Sequence, residues 1–427
     1  MYSRNASCAG DVGVKMPFIH QVGGHHGILL YDKDTICKPL FQREVENYCH
    51  LSPVLGKYIP KFKGVIDVMI EKDNEGHVTY QAVSEPSCGG DERGGMPASA
   101  IQLEPTSALE CPRKQQDSVQ SNGRPEDPSC HDGCEMKTNK SSTSPTCRRI
   151  HSLPELSSLR GSHQENLSSR DLFEDETDFS VRPQGQSLNP WSLHCHERQY
   201  LRHTLGDNKP SKIHSKYILL ENISAYFHCP SILDLKIGTR CYGDDLSEEK
   251  KQLNIARATE STTRTLGVRF GGMQVYHADK GSYMCCNKKY GNTLTEESLR
   301  EEIGRFIYQR HSHCEEIRRA MVDRITELRD RVSQLDHYRF FGCSVLMIYE
   351  GMDAASNGDG DGRNGSRGRS WNEKDTPNTM VKIIDFGHAS SWELQASEGM
   401  DYQGVDASFV FGLDSLLQML QASPNKE

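Results

Sequence analysis

The sequence predicts an α+β protein of two lobes, a small one built on an antiparallel sheet and a larger mixed one, interrupted by two long disordered inserts. Three observations carry this expectation. Short apolar runs punctuated by turn residues fill 17–83 and reappear at 217–221. Apolar residues at helical spacing occupy 299–335. Two stretches, 85–190 and 352–379, are rich in Ser, Pro, Gly, Asn and charged residues. That composition cannot bury enough apolar surface to order a chain, and loops so long are foreign to a compact lobe.

The small lobe follows a flexible start over 1–16 and occupies 17–84. Ile28–Tyr31 and Thr35–Lys38 read as strands around Asp32-Lys33-Asp34, and Phe41–His50 as a short helix. Val65–Ile70 and His77–Val83 pair around the turn Asp73-Asn74-Glu75-Gly76. The lobe resumes over 191–223, where Tyr217–Glu221 is a further strand. The larger lobe covers 224–351 and 380–427. Leu299, Ile303, Phe306 and Ile307 share one helical face. Ile317, Met321, Ile325, Leu328, Val332 and Leu335 form a second stripe, read as a core-facing helix because it spans too few heptads for a coiled coil. Ser344–Tyr349 and Val381–Asp385 are expected to pair as an antiparallel hairpin across the second insert.

Composition narrows the function. The chain has 427 residues, enough for two lobes plus disorder. No run approaches the ~20 apolar residues of a membrane span, and the first residues lack the apolar core of a secretory signal. The 15 cysteines are odd in number and scattered. They read as reduced thiols of a cytoplasmic or nuclear protein. A net charge of −9 argues against general nucleic-acid binding but leaves room for a local basic pocket.

The densest chemical signal is Pro230-Ser-Ile-Leu-Asp-Leu-Lys-Ile-Gly-Thr-Arg240. Asp234 and Lys236 stand two apart in an apolar strand and so share one face. Ionised groups there are costly unless paired or given a ligand. Gly238 permits a turn close to that ligand. An acid, a base and a permissive turn suit the handling of phosphate. Asp385 ends another apolar strand. In Ser247–Arg257, Ser247 suits a helix N-cap, and Lys250, Asn254 and Arg257 then share one face. That face is either solvated or an anion site, and Lys251, Arg240 and Arg269 could extend a basic rim. Asn357–Gly362 imitates a calcium loop but has Gly368 where the twelfth-position Glu belongs. Cys130–Cys134 and His194–His196 lack regular zinc spacing.

The block Pro230-x-x-x-Asp234-x-Lys236-x-Gly238 resembles the hallmark of the inositol polyphosphate kinases. Four further blocks agree in order: Pro17–His25 (Pro-Phe-Ile-His-Gln-Val-Gly-Gly-His), Gly243–Lys250, Leu266–Tyr276, and Ile383-Ile-Asp-Phe-Gly-His388, where the family has Ala at Gly387. Phe409-Val-Phe-Gly-Leu413 and Ser344-Val-Leu346 are similar to two more family motifs. The resemblance implies a fold related to protein kinases and ATP-grasp enzymes, with ATP and Mg²⁺ as cofactors. It implies that Lys38 pairs with Glu44 to hold nucleotide phosphates, Glu46 being the alternative partner. It makes Glu221-Asn222-Ile223 the adenine hinge, Asp234 the ribose ligand and Asp385 the Mg²⁺ ligand. Lys250, Asn254 and Arg257 would bind inositol phosphate, and His388 would touch substrate phosphate or be structural.

Lys236 is expected to carry catalysis, since an ammonium between nucleotide and acceptor neutralises the group in flight. The leading activity is phosphorylation of inositol hexakisphosphate, with pentakisphosphate as a further acceptor, to a diphosphoinositol. Gln21-Val-Gly-Gly-His25, Gly243-Asp-Asp245 and Gly272–Tyr276 favour that branch over a multikinase or trisphosphate 3-kinase. A non-catalytic scaffold, with protein partners on the inserts, stands as a reading of another class. Joint retention of Lys38, Asp234, Lys236 and Asp385 argues against it. A protein kinase fits less well, because no His-Arg-Asp loop is present.

Overall fold

A computed structural model describes residues 16–72, 78–83, 177–180, 189–204, 212–308, 313–352 and 378–422. In chain order these form β1 (Met16–Pro17), β2 (Leu29–Asp32), β3 (Thr35–Pro39), α1 (Gln42–Leu55), β4 (Phe62–Lys72), β5 (Val78–Ala82), β6 (Thr177–Ser180) and α2 (Pro190–Thr204). Then come β7 (Lys212–Glu221), β8 (Pro230–Ile237), α3 (Glu248–Thr259), α4 (Thr262–Leu266), β9 (Val268–His277), β10 (Ser282–Asn287) and α5 (Lys288–Gly291). The chain continues through α6 (Glu296–Tyr308), α7 (Cys314–Val332), β11 (Ser344–Glu350), β12 (Thr379–Ile384), α8 (Trp392–Glu398) and α9 (Ala407–Gln421).

Two antiparallel sheets result. The first has the order β1-β2-β3-β7-β4-β5 and the second β12-β11-β8-β9-β10-β6. The small-lobe strands fall where the alternation placed them. β11 and β12 pair as expected, with Ser344 opposite Ile384 and Tyr349 opposite Thr379. β8 lies inside the second sheet, bonded to β11 and β9. Seven of its eight residues are buried, Lys236 alone being half-buried, which explains its near-continuous apolar reading.

The α7 stripe does face a core. Ile317, Met321, Ile325, Leu328 and Val332 are buried together with Phe409, Leu413 and Leu416 of α9. The same core extends to Val45, Tyr48, Leu51 and Leu55 of α1. That stripe carries α1 five residues past the expected end at His50. The helix stops at Gly56, whose φ of 48° suits glycine.

Two boundaries differ from the sequence expectation. Thr177–Ser180 falls within the stretch read as disordered, yet it is β6, with Tyr283 of β10 opposite Phe179. Such a short edge strand needs only backbone pairing, so composition gives no warning of it. Pro190–Thr204 is a helix that no sequence feature had singled out. The 73–76 turn, most of the first insert, residues 353–377 and the start over 1–15 lie outside the described residues.

The segment between β1 and β2 folds back over β9. Gln21 braces it internally: its amide donates to the Gly23 and His26 carbonyls (3.0 and 2.8 Å) and its oxygen accepts from Ile28 N–H (3.1 Å). α2 supports it from outside, through Ser192 Oγ to Phe18 O (2.8 Å) and Gln199 to Gly27 N–H (3.0 Å). The approach is possible because Gly272 has no side chain. A Cβ there would stand 1.9 Å from Val22 O. Gly272→Ala should therefore unseat residues 18–28 while the α7–α9 core stays intact. Hydrogen exchange would show it as lost protection in that segment against unchanged protection in β11.

Candidate active site

The site is built where β3, α1, β8 and the end of β12 converge. Asp385 follows β12 with φ 67° and ψ 66°, a left-handed conformation that a non-glycine residue adopts at a cost of about 1–3 kcal/mol. The strain is offset by what the carboxylate gains. Its Oδ1 accepts from Lys38 Nζ (3.2 Å) and its Oδ2 from Lys236 Nζ (3.0 Å). Charge-assisted hydrogen bonds are worth roughly 1.5–3 kcal/mol each, so the pair suffices to hold the turn.

Lys38 also donates to Glu44 Oε1 of α1 (2.8 Å), and Lys236 to Gly342 O (2.9 Å). The strand-lysine and helix-glutamate pair expected from the sequence is thus formed. Glu46 plays no part in it and accepts instead from Gln42 (2.9 Å). Burial acts to raise the Asp385 carboxyl, but Lys236 and then Lys38 overcome it and hold the group well below the carboxylate range. For the lysines burial acts in the opposite sense. Glu44 and Asp385 outweigh it at Lys38, and Asp385 and Asp234 at Lys236, so both ammonium groups are held above their ordinary range. Lys38, Lys236 and Asp385 thus hold one another in their charged forms.

Asp234 sits beside this cluster without joining it, and Lys236 pairs with Asp385 instead. The β8–β9 ladder is irregular between Asp234 and Leu235, with Asp234 opposite Gly272 and Leu235 opposite Phe270. Glycines make room for its side chain: a Cβ on Gly23 would lie 2.0 Å from Oδ2, and one on Gly271 2.8 Å from Oδ1. The carboxyl is buried, and Oδ1 has no hydrogen-bond partner. The buried Ser344 hydroxyl favours its charge, though neither atom completes a bond of normal geometry. Burial first, and Asp385 against the pull of Lys236, raises the Asp234 pKa. Buried acceptors are almost always hydrogen-bonded, so this unpaired oxygen marks Asp234 as an exception.

The proposed hinge has a different use for its side chain. Glu221 accepts from Lys61 N–H (3.0 Å) and Tyr226 Oη (2.7 Å), bracing the crossover. Ile223 is buried at the start of a 3₁₀ turn. It packs with Val22, Phe227, Ile232 and Ile348, and with the partly buried Leu346 and Met380, in an apolar cluster. Pro230 opens β8 opposite Glu350. Gly238 closes the strand with φ 99° and donates its N–H to Gly267 O (2.8 Å), so the turn there does require glycine.

Lys250, Asn254 and Arg257 lie on α3. Lys250 and Arg257 are exposed and Asn254 is half-buried, donating to Lys250 O (2.9 Å). Among the described residues no hydrogen bond or ion pair joins them to Lys236 or Asp385. Ser247 occupies the N-cap position, but its hydroxyl accepts no capping bond. Arg240 is not part of an open rim. It stacks at 3.9 Å on Phe341, pairs with Asp244 and donates to Tyr402 Oη (3.1 Å). Arg269 stands opposite Lys236 in the ladder. His388 Nδ1 is 3.7 Å from Asp245 Oδ1 and makes no hydrogen bond. At Gly387 an added Cβ would meet nothing within 4 Å, so the family's alanine would fit without contact.

Two contributors, Lys288 and Asn47, were not singled out from sequence, and His25 entered only as the end of a motif block. Lys288 Nζ lies 2.7 Å from His25 Nδ1 and 5.1 Å over the Trp191 ring. Burial lowers the Lys288 ammonium to about 8. Arg198, Arg269 and Lys236 contribute to this, against the opposing effect of Cys195. Burial and then Lys288 lower His25 to about 4, leaving it neutral. Asn47 of α1 donates to Phe386 O (2.9 Å) and Ala389 O (3.0 Å). No motif or charge pattern marks Lys288 or Asn47, and only the fold brings Lys288 to His25.

A family model described as inositol polyphosphate kinase matches residues 217–421. Human inositol hexakisphosphate kinase 1 is 31% identical over 451 residues, covering 98% of this chain and 96% of its own. Mouse inositol hexakisphosphate kinase 3 is 32% identical over 435 residues, covering 99% and 98%. A solved inositol phosphate multikinase from S. cerevisiae, in complex with ADP and Mn²⁺, covers 48% of this chain at 22% identity. Its TM-score is 0.38. Near full-length likeness joins the ordered blocks and the Lys38–Asp385–Lys236 cluster in one conclusion: the chain belongs to the inositol polyphosphate kinase family, on its hexakisphosphate kinase branch.

Proposed function

We propose that this chain transfers the γ-phosphoryl group of ATP to a phosphate of inositol hexakisphosphate, forming a diphosphoinositol. The observation that carries this reading is the convergence of Lys38, Lys236 and Asp385 from separate elements onto one ion cluster. Phosphoryl transfer asks mainly for positioning and charge neutralisation, and this cluster offers both. The buried Asp234 oxygen suits a ribose hydroxyl, and the apolar cluster around Ile223 suits a base. Lys38, held by Glu44, suits the nucleotide phosphates. An acceptor without free hydroxyls attacks through a phosphate oxygen and needs little general-base help, so cationic neutralisation by Lys236 dominates.

Asp385 would hold Mg²⁺, which when bound neutralises phosphate charge. The donor set fits. Among the described residues no group of three or more His, Cys, Asp or Glu is gathered for a metal. Mg²⁺ is commonly held by one or two carboxylates together with water and substrate phosphates. The family and the reduced-thiol reading of the cysteines favour a cytoplasmic or nuclear setting. Partners beyond the two substrates would engage the inserts. Among the described residues no helix is long and apolar enough to cross a membrane.

Incubation with ATP, Mg²⁺ and a panel of inositol phosphates, with products separated by charge, tests the reading. Turnover of a trisphosphate but not of hexakisphosphate would overturn it. Lys236→Ala should lower kcat on the order of 10³-fold, as loss of preorganised electrostatic groups does, and Lys236→Arg should rescue only part. Asp385→Asn should abolish turnover with the fold retained, checked by thermal denaturation.

The α3 face gives a separate expectation. Neutralising Lys250 and Arg257 together should weaken inositol-phosphate binding far more than ATP binding in calorimetry. Equal effects would make the face merely solvated.

Lys288 gives a pH dependence. Its pKa of about 8 means that the ammonium is lost as pH rises through 8. KM for the polyanionic acceptor should therefore climb above pH 8 while KM for ATP stays flat, and Lys288→Gln should remove the climb.

A further inference from the structure

Helix α1 touches the turn after β12 with three polar side chains besides presenting Glu44 to Lys38. Asn47 is fully buried, and its amide nitrogen donates to two carbonyls, Phe386 O at 2.9 Å and Ala389 O at 3.0 Å. Those carbonyls bracket the turn that begins at Asp385. Arg43 Nε donates to the same Ala389 O (3.0 Å) and its guanidinium pairs with Glu398. His50 Nδ1 lies 2.8 Å from Ser391 Oγ. Beneath them the Tyr48 ring packs edge-on against Phe386 with centroids 5.1 Å apart.

We infer that Asn47 is a positioning residue: its amide clamps both ends of the 386–389 turn and so fixes the Asp385 carboxylate toward Lys38 and Lys236. Two features set this apart from ordinary packing. Asn47 Oδ1 is buried with no hydrogen-bond partner. An unsatisfied buried oxygen is a cost that an apolar residue would avoid, so the donor half of the amide must contribute what the acceptor half loses. Asp385 also stands at positive φ, a conformation that persists only where its surroundings over-determine it. Glu44 and Asn47 lie three residues apart on one helical face. One helix therefore sets the Lys38 ammonium and the Asp385 carboxylate at once, and displacing it would disarm both.

The inference rests on Asp385 as the metal ligand, so the test reads metal binding directly. The full-length protein with a non-hydrolysable β,γ-imido analogue of ATP is titrated with Mn²⁺ and followed by electron paramagnetic resonance, alongside steady-state kinetics. Residues that orient metal ligands typically contribute 10–100-fold to metal affinity. Asn47→Ala and Asn47→Asp should each weaken Mn²⁺ binding by about 10-fold or more and lower kcat, with KM for hexakisphosphate little changed. Arg43→Gln, on the surface side of the same turn, should shift Mn²⁺ binding less but in the same direction. It decides the matter if the Asn47 variants do not fold. Leu51→Ala, a core truncation on the same helix, should lower the melting temperature without moving Mn²⁺ binding. Native Mn²⁺ binding in the Asn47 variants, or an equal shift in Leu51→Ala, overturns the inference. Asp385→Asn separates the two levels. If it binds Mn²⁺ normally, the metal assignment itself falls. If it loses Mn²⁺ while the Asn47 variants keep it, only the positioning role falls.

Discussion

The Asp385 carboxylate, gripped on one oxygen by Lys38 and on the other by Lys236, is the interaction on which the rest of the site depends. Its two partners come from different sheets, β3 in the first and β8 in the second. The bond therefore spans the lobes, and it works only if both sheets keep their register. A one-residue slip in β8 would turn Lys236 to the opposite face. Pairing on both sides of β8, to β11 and β9, guards against that slip. Burial alone would disfavour all three charges. Their mutual attraction reverses the sign for each, which makes the cluster stable as a set and fragile to the loss of any member.

Close backbone approach is the second constraint. The carboxyl of Asp234 is enclosed by Gly23 and Gly271, and Gly272 lets the Val22 carbonyl rest on β9. The glycines of two sequence blocks some 250 residues apart thus serve one purpose, to bring two backbones together around an acid. The outcome is a buried carboxyl oxygen without a hydrogen-bond partner beside an ion cluster. Gln21 keeps the covering segment in shape from within, so the enclosure does not rely on the sheet alone.

Cations are supplied by several elements. Nearest in are Lys38 and Lys236, both neutralised by carboxylates. Lys288 stands beside His25 and the Trp191 ring, and Arg269 stands across from Lys236. α3 carries exposed cations as well. Arg240 is instead engaged by Asp244 and Tyr402.

Local sequence carries the lobes, the strand alternation, the core face of α7 and the special standing of Asp234, Lys236 and Asp385, and it narrows the partner of Lys38 to Glu44 or Glu46. Each is written in local periodicity, in the rarity of charge within apolar strands, or in ordered motifs. Tertiary structure alone decided the rest. It chose Asp385 over Asp234 as the partner of Lys236, turned Arg240 inward, gave Glu221 a bracing role, made Thr177–Ser180 an edge strand and set Asn47 and Lys288 beside the site. The physical reason is the same in every case. A buried charge or amide is satisfied by whichever partner the fold brings within about 3 Å. That choice depends on residues hundreds of positions away, such as Asn47 and Phe386, whose meeting no local pattern encodes.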